Sequence, residues 1–470
     1  MKKALTILVA MLFVVVAVGA VFAADTTFEG QYKIRAWSNW NFDKRPNHLN
    51  SQKGLYTGYF DQRFRLTITH ARSEFLKAVI QIDLVEDTWG QQRNFRINNN
   101  TNGELVRKAY LEFTLPKIGT FTVGKQPVVL GAGLAFSDSS GYLDGIKWAN
   151  KWGPVGVSAM YFKFNDNVAL GGGSEFYNRD TDIWALHLMI TPNENHAIEL
   201  FGGYVNYRAG LPSSHNLGYI PFMGLDLLQA HVGFAGIAYI GEIADMITLK
   251  GEFSGVFGRA DLSNWTVGDR GLITGYNLYL DASWHNDLLR VGLGFVHGSG
   301  DTMSGINANH FNVNFITADE FVFGNIIASG NGGMQDDFGG GLGFCDDIEN
   351  LTAVKLYFEV SPTEKLSINA AVIWARWTEP VGLTSAYDHP VNYYAGLGKY
   401  NQWYNSATDL GWEIDLGLSY EIMEGLSYTL AAGVLFTGDS FDYVGDPGGA
   451  NTHESWGPIW TVNNNLIYEF

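Results

Sequence analysis

Hydrophobic and polar residues alternate along much of this chain. The alternation is clear in segments 60–69, 409–420 and 460–470, where every second residue is mostly apolar and the residues between are polar or charged. A period of two is the pattern of a β-strand with one apolar and one polar face. The predicted strands run for about 10–13 residues, longer than the usual 5–6. Such length, with aromatic residues near strand ends such as Trp37 and Trp40, is typical of membrane-crossing strands.

The connections between these strands alternate between short and long. Short turns, many carrying the Pro, Gly or Asn that tight turns require, are predicted at 71–74, 116–119, 151–154, 192–195, 241–245, 286–287, 361–364 and 421–425. Long loops are predicted at 43–55, 88–103, 127–141, 165–178, 209–225, 258–272, 299–350, 379–408 and 437–458. This predicts an all-β, transmembrane, antiparallel up-and-down barrel of about 18 strands, with short periplasmic turns and long external loops. A count of 16 is the alternative, because the strands within 120–150 are hard to delimit.

Residues 1–23 have the composition of a secretory signal peptide. Lys2 and Lys3 precede a long uncharged apolar run, and Ala23 provides the small residue of a cleavage site. An uncleaved membrane anchor is the alternative, because the run is long enough to span a bilayer. After residue 23 the sequence has no run of 18 apolar residues, so residues 24–470 can cross a membrane only as a closed barrel. We therefore expect one large domain in the bacterial outer membrane.

The chain is acidic. Its net charge is −18, from 30 basic and 48 acidic residues, and becomes −20 when Lys2 and Lys3 leave with the signal (28 against 48). This balance argues against nucleic acid as a partner, which requires a basic face. The single cysteine, Cys345, cannot form an intramolecular disulfide, and no haem-attachment motif occurs. No cofactor is expected.

The long loop 299–350 ends in a group of carboxylates. Clustered carboxylates are the ligands that Ca²⁺ prefers, but the spacing of an EF-hand loop is absent. A solvated external loop is the alternative interpretation. The group comprises Asp336, Asp337, Asp346, Asp347 and Glu349.

The alternation also predicts which charged residues face the lumen. The inward side chains of a barrel determine the electric field along its pore. Basic residues are concentrated on the first four strands and acidic ones on later strands, so a field across the lumen is expected. The alternative is that these charges pair across strands and only fill a polar interior. The predicted pore-lining residues are Lys33, Arg35, Arg63, Arg65, Lys77, Lys108, Glu413 and Asp415.

Loop 127–141 differs from the other predicted loops. It contains few charges and much Gly and Ala, whereas an external loop is usually polar. We expect it to fold into the lumen and narrow it, with Asp138 as the charged group of the constriction. An oligomer contact is the alternative.

The same region resembles a known family. It contains Val123-Gly124-Lys125-Gln126, then Gly131, then Asp144-Gly145-Ile146-Lys147-Trp148. This resembles the alginate-export family and related porins, in which a strand ends in Gly-Arg-Gln, a loop folds inward and the next strand opens with Asp-Gly-Val/Ile-Arg. Lysine replaces both arginines here. The resemblance implies an 18-stranded substrate channel, but not alginate as the solute, since that activity goes with a strongly basic pore.

The chain ends in Leu466-Ile467-Tyr468-Glu469-Phe470. A terminal Phe with an aromatic residue two positions earlier resembles the C-terminal signal that the barrel-assembly machinery reads. The resemblance implies recognition of Phe470 by that machinery. The other expected partners are outer-membrane lipid, lipopolysaccharide and small polar solutes, and a homotrimer is a candidate assembly.

The function that these features predict is a porin, a passive diffusion channel for small polar or charged solutes. No GxSxG or HExxH motif occurs, and Gly438-Asp439-Ser440 follows a strand as a loop opening, so an enzyme is not expected. One alternative is a barrel that sheathes a multihaem cytochrome in an electron conduit, with the haem supplied by the partner. An outer-membrane hydrolase is the other alternative.

Overall fold

The computed structural model describes most of the wall of a barrel. The described residues are 25–40, 56–89, 106–134, 136–165, 181–208, 227–262, 270–300, 310–311, 321–328, 348, 350–379, 407–441, 443–444, 453–454 and 457–470. The predicted signal peptide, residues 1–23, lies outside them.

Eighteen long strands form the wall. They are β1 Asp25–Trp40, β2 Tyr56–Ser73, β3 Leu76–Thr88, β4 Val106–Leu115, β5 Gly119–Leu130, β6 Phe136–Trp152, β7 Val155–Asn165, β8 Thr181–Asn193, β9 His196–Arg208, β10 Leu227–Ile243, β11 Ile247–Leu262, β12 Arg270–His285, β13 Leu289–Gly298, β14 Leu351–Thr363, β15 Leu366–Trp377, β16 Asp409–Met423, β17 Leu426–Thr437 and β18 Ile459–Glu469. Three two-residue strands, His310–Phe311, Tyr443–Val444 and His453–Glu454, and a short 3₁₀ turn, Asp439–Phe441, lie in the connections.

Each strand pairs with its sequence neighbours in antiparallel register, and β18 pairs with β1 to close the sheet. The closed antiparallel barrel of 18 strands confirms the predicted fold class and strand number. All eight predicted short turns are present, and they lie on one rim. Among the described residues, no helix is long and apolar enough to cross a membrane.

Strands β5 and β6 extend further than the sequence predicts. Residues 127–141 are predicted as a loop, yet β5 continues to Leu130 and β6 begins at Phe136, so only 131–135 connect them. The pairing shifts between Gln126 and Val128, and this irregularity accommodates extra residues of β6. Residues 128–130 and 136–138 of this Gly-rich and Ala-rich stretch therefore pair as strands beyond the irregularity, which the composition does not indicate.

The two faces of the wall follow the alternation. Outward positions carry exposed apolar side chains such as Leu186, Leu293 and Leu416, the composition expected of a lipid-facing band. Trp40 and Trp460 lie in this band at the long-loop rim. Trp37 is not part of that rim, because it shares the inward parity of β1 and is only 4% exposed.

The last residue completes the closure between β18 and β1. Phe470 and Gly30 exchange two backbone hydrogen bonds, 2.9 and 3.1 Å long. The Phe470 ring occupies the space beside Gly30, where a Cβ would lie 2.1 Å from it. The ring also stacks on Phe64 of β2. The terminal aromatic residue therefore joins three strands at the short-turn rim.

Candidate functional site in the barrel lumen

The inward charges of β1 and β2 form a buried ion pair. Arg35 and Asp61 are opposite each other in the β1–β2 register, and the guanidinium donates to both carboxylate oxygens at 2.7 and 2.9 Å. Trp37 donates to the same carboxylate at 3.1 Å, and its ring lies under the Arg35 guanidinium. Arg35 is 2% exposed and Asp61 is fully buried. Arg35 therefore pairs with an acidic residue on the neighbouring strand, which is the alternative given in the sequence analysis, and does not form part of an open basic wall.

A second buried cluster lies on β2, β3 and β4. Asp83 accepts hydrogen bonds from Arg65 at 2.6 and 2.9 Å and from Arg107 at 2.6 Å. Alternation places Arg107 on the outward face with Ala109 and Leu111. A register shift leaves Arg107 unmatched between the paired positions of β4, and this bulge turns its side chain inward. The sequence pattern therefore misses one of the basic residues in the lumen.

The remaining predicted basic residues also lie on the inner wall. Lys77 forms an ion pair of 2.9 Å with Glu112, its register partner on β4. Arg63 donates to Gln31 at 3.2 Å. Lys33 and Lys108 are half-buried on β1 and β4. The four strands thus carry a polar wall on which basic and acidic groups are interleaved.

The connection between β5 and β6 reaches strands far along the wall. The backbone amides of Gly131 and Ala132 donate to Glu199 on β9 at 3.2 Å and to Glu252 on β11 at 2.6 Å. Glu252 is 1% exposed, and His187 lies 2.9 Å from the Glu199 carboxylate. A connection from β5 to β6 that bonds inward side chains of β9 and β11 must lie on the lumen side of the wall. The backbone of Asp138 pairs with Val128 in the hairpin itself.

A second segment, 321–328, packs against the inner wall on the other side. The amides of Ile326 and Ile327 donate to the two oxygens of Glu413 at 2.7 and 2.9 Å. The amide of Asn325 donates to Asp415 at 3.1 Å. Both carboxylates are buried, so they hold this segment rather than line open water. Sequence reasoning assigned them to the pore wall and did not find the segment, although Phe321-Val322-Phe323 is an apolar run within a predicted external loop.

Apolar contacts join the two inward segments. Leu134, from the β5–β6 connection, belongs to the same buried cluster as Phe323 and Ile326. Lys355 of β14 donates to the carbonyl oxygen of Phe323 at 2.7 Å and lies over its ring. The segments 131–134 and 321–328, here called the lumen segments, therefore meet inside the barrel.

The residues of the family-like motif have a structural role at the base of the β5–β6 connection. The Gln126 side-chain amide donates to the carbonyl oxygens of Thr122, Gly124 and Gly145. Gly124 has a positive φ of 119°, and a Cβ there would lie 2.3 Å from a backbone oxygen of β4. These contacts fix the point at which the hairpin leaves the regular wall.

The loop carboxylates considered as a Ca²⁺ site, from Asp336 to Glu349, lie outside the described residues. Within the residues that are described, no group of three or more His, Cys, Asp or Glu side chains is placed to hold a metal ion.

No protein-family model and no curated protein matches the sequence. Solved structures match over nearly the whole chain. OpdQ of Pseudomonas aeruginosa shares 10% identity, with 95% of this chain and 98% of that chain covered and a TM-score of 0.50. A double variant of OccD1 (OprD) shares 11%, with 95% of each chain covered and a TM-score of 0.50. OccAB4 of Acinetobacter baumannii shares 11%, with 94% and 98% covered and a TM-score of 0.50.

At 10–11% sequence identity, the similarity to these structures establishes a shared fold only. The matched chains are covered almost completely, so the whole barrel is shared rather than one hairpin. A closed antiparallel barrel with an apolar outer band and short turns on one rim is the architecture of bacterial outer-membrane proteins. This chain is an 18-stranded β-barrel of the bacterial outer membrane, with the fold of OpdQ, OccD1 and OccAB4.

Proposed function

We propose that the protein is a porin, a passive diffusion channel for small polar or charged solutes. The observation that supports the proposal is the pair of lumen segments, whose backbone amides are held at the inner wall by carboxylates of β9, β11 and β16. A barrel with a structural role only has no need of segments that narrow its interior. A diffusion pore requires such narrowing, because the narrowest point sets which solutes pass.

The free side of the constriction is the wall formed by β1 to β4. The lumen segments rest on β9, β11, β14 and β16, and none of their described hydrogen bonds reaches β1 to β4. A solute would therefore pass along the wall that carries Arg63 and Arg65, whose side chains are only partly buried. The interleaved hydrogen-bond donors and acceptors of this wall replace part of the hydration shell of a polar solute, whereas an apolar solute forms no hydrogen bonds with them.

The charge along this wall supports weak ion selectivity. The two buried clusters contain three arginines and two aspartates, which leaves one positive charge over five ionised groups. Paired charges produce a short-range field, and exposed mouth charges are screened within about 8–10 Å at physiological salt. Anionic, zwitterionic and cationic small solutes are therefore all expected to enter.

The alternatives have no comparable support. A sheath for a cytochrome requires an open lumen, whereas the lumen segments occupy the interior beside β11, β14 and β16. For the hydrolase, Ser440 lies in the short 3₁₀ turn after β17, and its hydroxyl forms no hydrogen bond with any described residue. A nucleophilic serine needs a base within hydrogen-bonding reach.

Liposome swelling tests the proposal. Purified protein is reconstituted into liposomes, which are diluted into isosmotic solutions of sugars and amino acids of increasing size. The expected result is swelling that is fast for the smallest solutes and falls steeply with size. Swelling no faster than in protein-free liposomes, with protein shown to be folded by its heat-modifiable gel mobility, would contradict the proposal.

A further inference from the structure

A cavity opens in the wall at the short-turn rim, between the ends of β10 and β14. Its volume is about 360 Å³, which is within the range of pockets that hold small molecules. Most of its lining is polar, and acidic and basic side chains both contribute. The ionisable side chains in the lining are Glu242, His285, Asp287, Arg290 and Glu359.

The strand alternation places this cavity on the lumen side of the wall. Trp284 of β12 points outward and is 40% exposed, whereas the preceding Ser283 points inward and is 2% exposed. His285 has the same inward parity as Ser283. Glu242 of β10 and Thr248 of β11 join the same inner face, because the register links Glu242 to Thr248 and Thr248 to Ser283. A group bound in the cavity therefore contacts the lumen and not the lipid.

The cavity lies on the short-turn side of lumen segment 321–328. Phe323 of that segment covers β13 at Gly294, where a Cβ would lie 3.1 Å from the Phe323 ring. Arg290 is four positions closer to the turn on the same strand, a distance of about 13 Å along an extended backbone. A solute that has passed the segment from the long-loop side therefore reaches the cavity before it leaves the barrel.

A cationic and an anionic side chain both lean onto β12 in this cavity. Arg290 reaches β12 from β13, and its Nε donates to the Ser283 hydroxyl at 3.1 Å. Glu242 reaches β12 from the other side, and its carboxylate lies 3.4 Å from His285 Nε2. Among the described residues, no ion pair joins Arg290 to a carboxylate. The terminal guanidinium N–H groups of Arg290 are therefore available to a bound solute.

The absence of that ion pair has a structural cause. Glu359 of β14 is directly opposite Arg290 in the register, and opposite charges in such positions usually pair. Here the Glu359 carboxylate accepts a hydrogen bond from Ser367 of β15 at 3.1 Å. Arg290 leans towards β12 and Glu359 towards β15, so the two side chains diverge. Their divergence leaves the guanidinium exposed to the cavity.

The positions of the two contacts on β12 indicate the chemistry of a matching solute. Ser283 and His285 are two positions apart on one face, or about 6.6 Å. Arg290 and Glu242 are therefore held several ångströms apart, with a hydrogen-bond donor at one end and a carboxylate at the other. A guanidinium binds a carboxylate through two parallel N–H groups. A solute that contacts both residues needs a carboxylate and an ammonium group separated by several bonds.

We propose that this cavity, here called the rim site, binds zwitterionic solutes whose charges are separated by a chain of about three carbons, such as 4-aminobutanoate. The solute carboxylate accepts hydrogen bonds from Arg290, and the ammonium group donates to Glu242. Leu288 adds an apolar side chain to the lining for the carbon chain. The rim site rests on the proposed porin function and refines it, because it adds a solute class that the barrel retains during passage.

Saturation-transfer NMR on folded barrels in detergent tests the rim site without any measurement of current. Titrated 4-aminobutanoate is expected to bind saturably. Butanoate and butylammonium each lack one of the two charges, and glycine holds its charges too close together to reach both residues. Each of the three is expected to bind at least about threefold more weakly, the factor for loss of one partly exposed ionic contact.

Charge-removing variants assign the binding to the rim site. Arg290→Gln and Glu242→Gln should each weaken 4-aminobutanoate binding about threefold. Lys365→Gln and Glu421→Gln are the matched controls, because they remove the same charges from an exposed pair of 3.8 Å at the same rim. These controls should bind like the parent protein.

Three outcomes would overturn the proposal: no saturable binding of 4-aminobutanoate, equal binding of glycine, or parental binding by folded Arg290→Gln and Glu242→Gln. Failure of the porin function is seen separately, as folded protein that binds 4-aminobutanoate but does not increase liposome swelling.

Discussion

Removing the carboxylate of Glu413 should release segment 321–328 from the wall. In Glu413→Ala the amides of Ile326 and Ile327, which lie 2.7 and 2.9 Å from the carboxylate oxygens, lose their acceptors. Asp415 still accepts from the Asn325 amide, the Asn325 side chain still donates to Ala432, and Lys355 still donates to Phe323, so the segment keeps three other hydrogen bonds to the wall. Glu413→Gln keeps one acceptor oxygen and serves as an intermediate step in the series.

The magnitude follows from the cost of an unmatched buried donor. Each backbone N–H group left without an acceptor costs about 1–3 kcal/mol, so the two together cost about 2–6 kcal/mol. At about 1.4 kcal/mol for each factor of ten, even the lower value shifts the equilibrium between bound and released segment about 30-fold. Glu413→Gln, with one donor unmatched, should shift it by the square root of the factor for Glu413→Ala.

Single-channel recording in planar bilayers measures this release. Glu413→Ala is expected to show a higher mean conductance, or frequent steps to a higher level, with Glu413→Gln between it and the parent. Glu359→Ala is the matched control, because Glu359 is an inward carboxylate of β14 whose described hydrogen bond goes to Ser367 and not to the segment. If folded Glu413→Ala matches Glu359→Ala in conductance and current noise, then Glu413 does not hold a constriction.

Three further perturbations test other parts of the structure. Arg35→Ala leaves Asp61 as a buried charge without its arginine and should lower the unfolding free energy by about 3–5 kcal/mol, whereas Arg35→Met with Asp61→Leu should leave that free energy nearly unchanged. If urea titrations followed by tryptophan fluorescence show equal losses of unfolding free energy for the two variants, the ion-pair argument is refuted. Gly131→Val places a branched side chain at a φ of 62°, where a Cβ would lie 2.6 Å from Glu252, so it should displace the β5–β6 connection and raise conductance; an unchanged conductance would place that connection outside the solute path. Phe470→Asp removes the ring that joins β18 to β1 and β2 and should lower the amount of protein in outer-membrane fractions, whereas Phe470→Tyr should not lower it. Equal amounts of the two variants in those fractions would contradict the role given to the ring.

The strand number and the order of short turns were predictable because both depend on local features. A period of two identifies a strand without knowledge of its neighbours, and Pro, Gly and Asn mark tight turns by their own backbone preferences. The inward parity of Arg35 and Arg65 was predictable on the same basis. Their partners were not, because pairing with Asp61 and Asp83 depends on the register between strands.

The misplaced residues show where local reasoning fails. The bulge in β4 changes the parity of Arg107, and a bulge is a property of two paired strands rather than of one sequence window. Segment 321–328 is held by Glu413, a residue 86 positions from Ile327. A contact of that sequence separation leaves no periodic signal within the segment. Glu413 and Asp415 were therefore assigned to the pore wall instead of to the anchor of the segment.

The central claim, that solutes pass through the barrel, is tested most directly by current across a planar bilayer after addition of the purified parent protein. The structure predicts stepwise increases of uniform size, a linear current–voltage relation and a reversal potential near zero in a salt gradient. Absence of steps from protein with the heat-modifiable mobility of a folded barrel would contradict the claim.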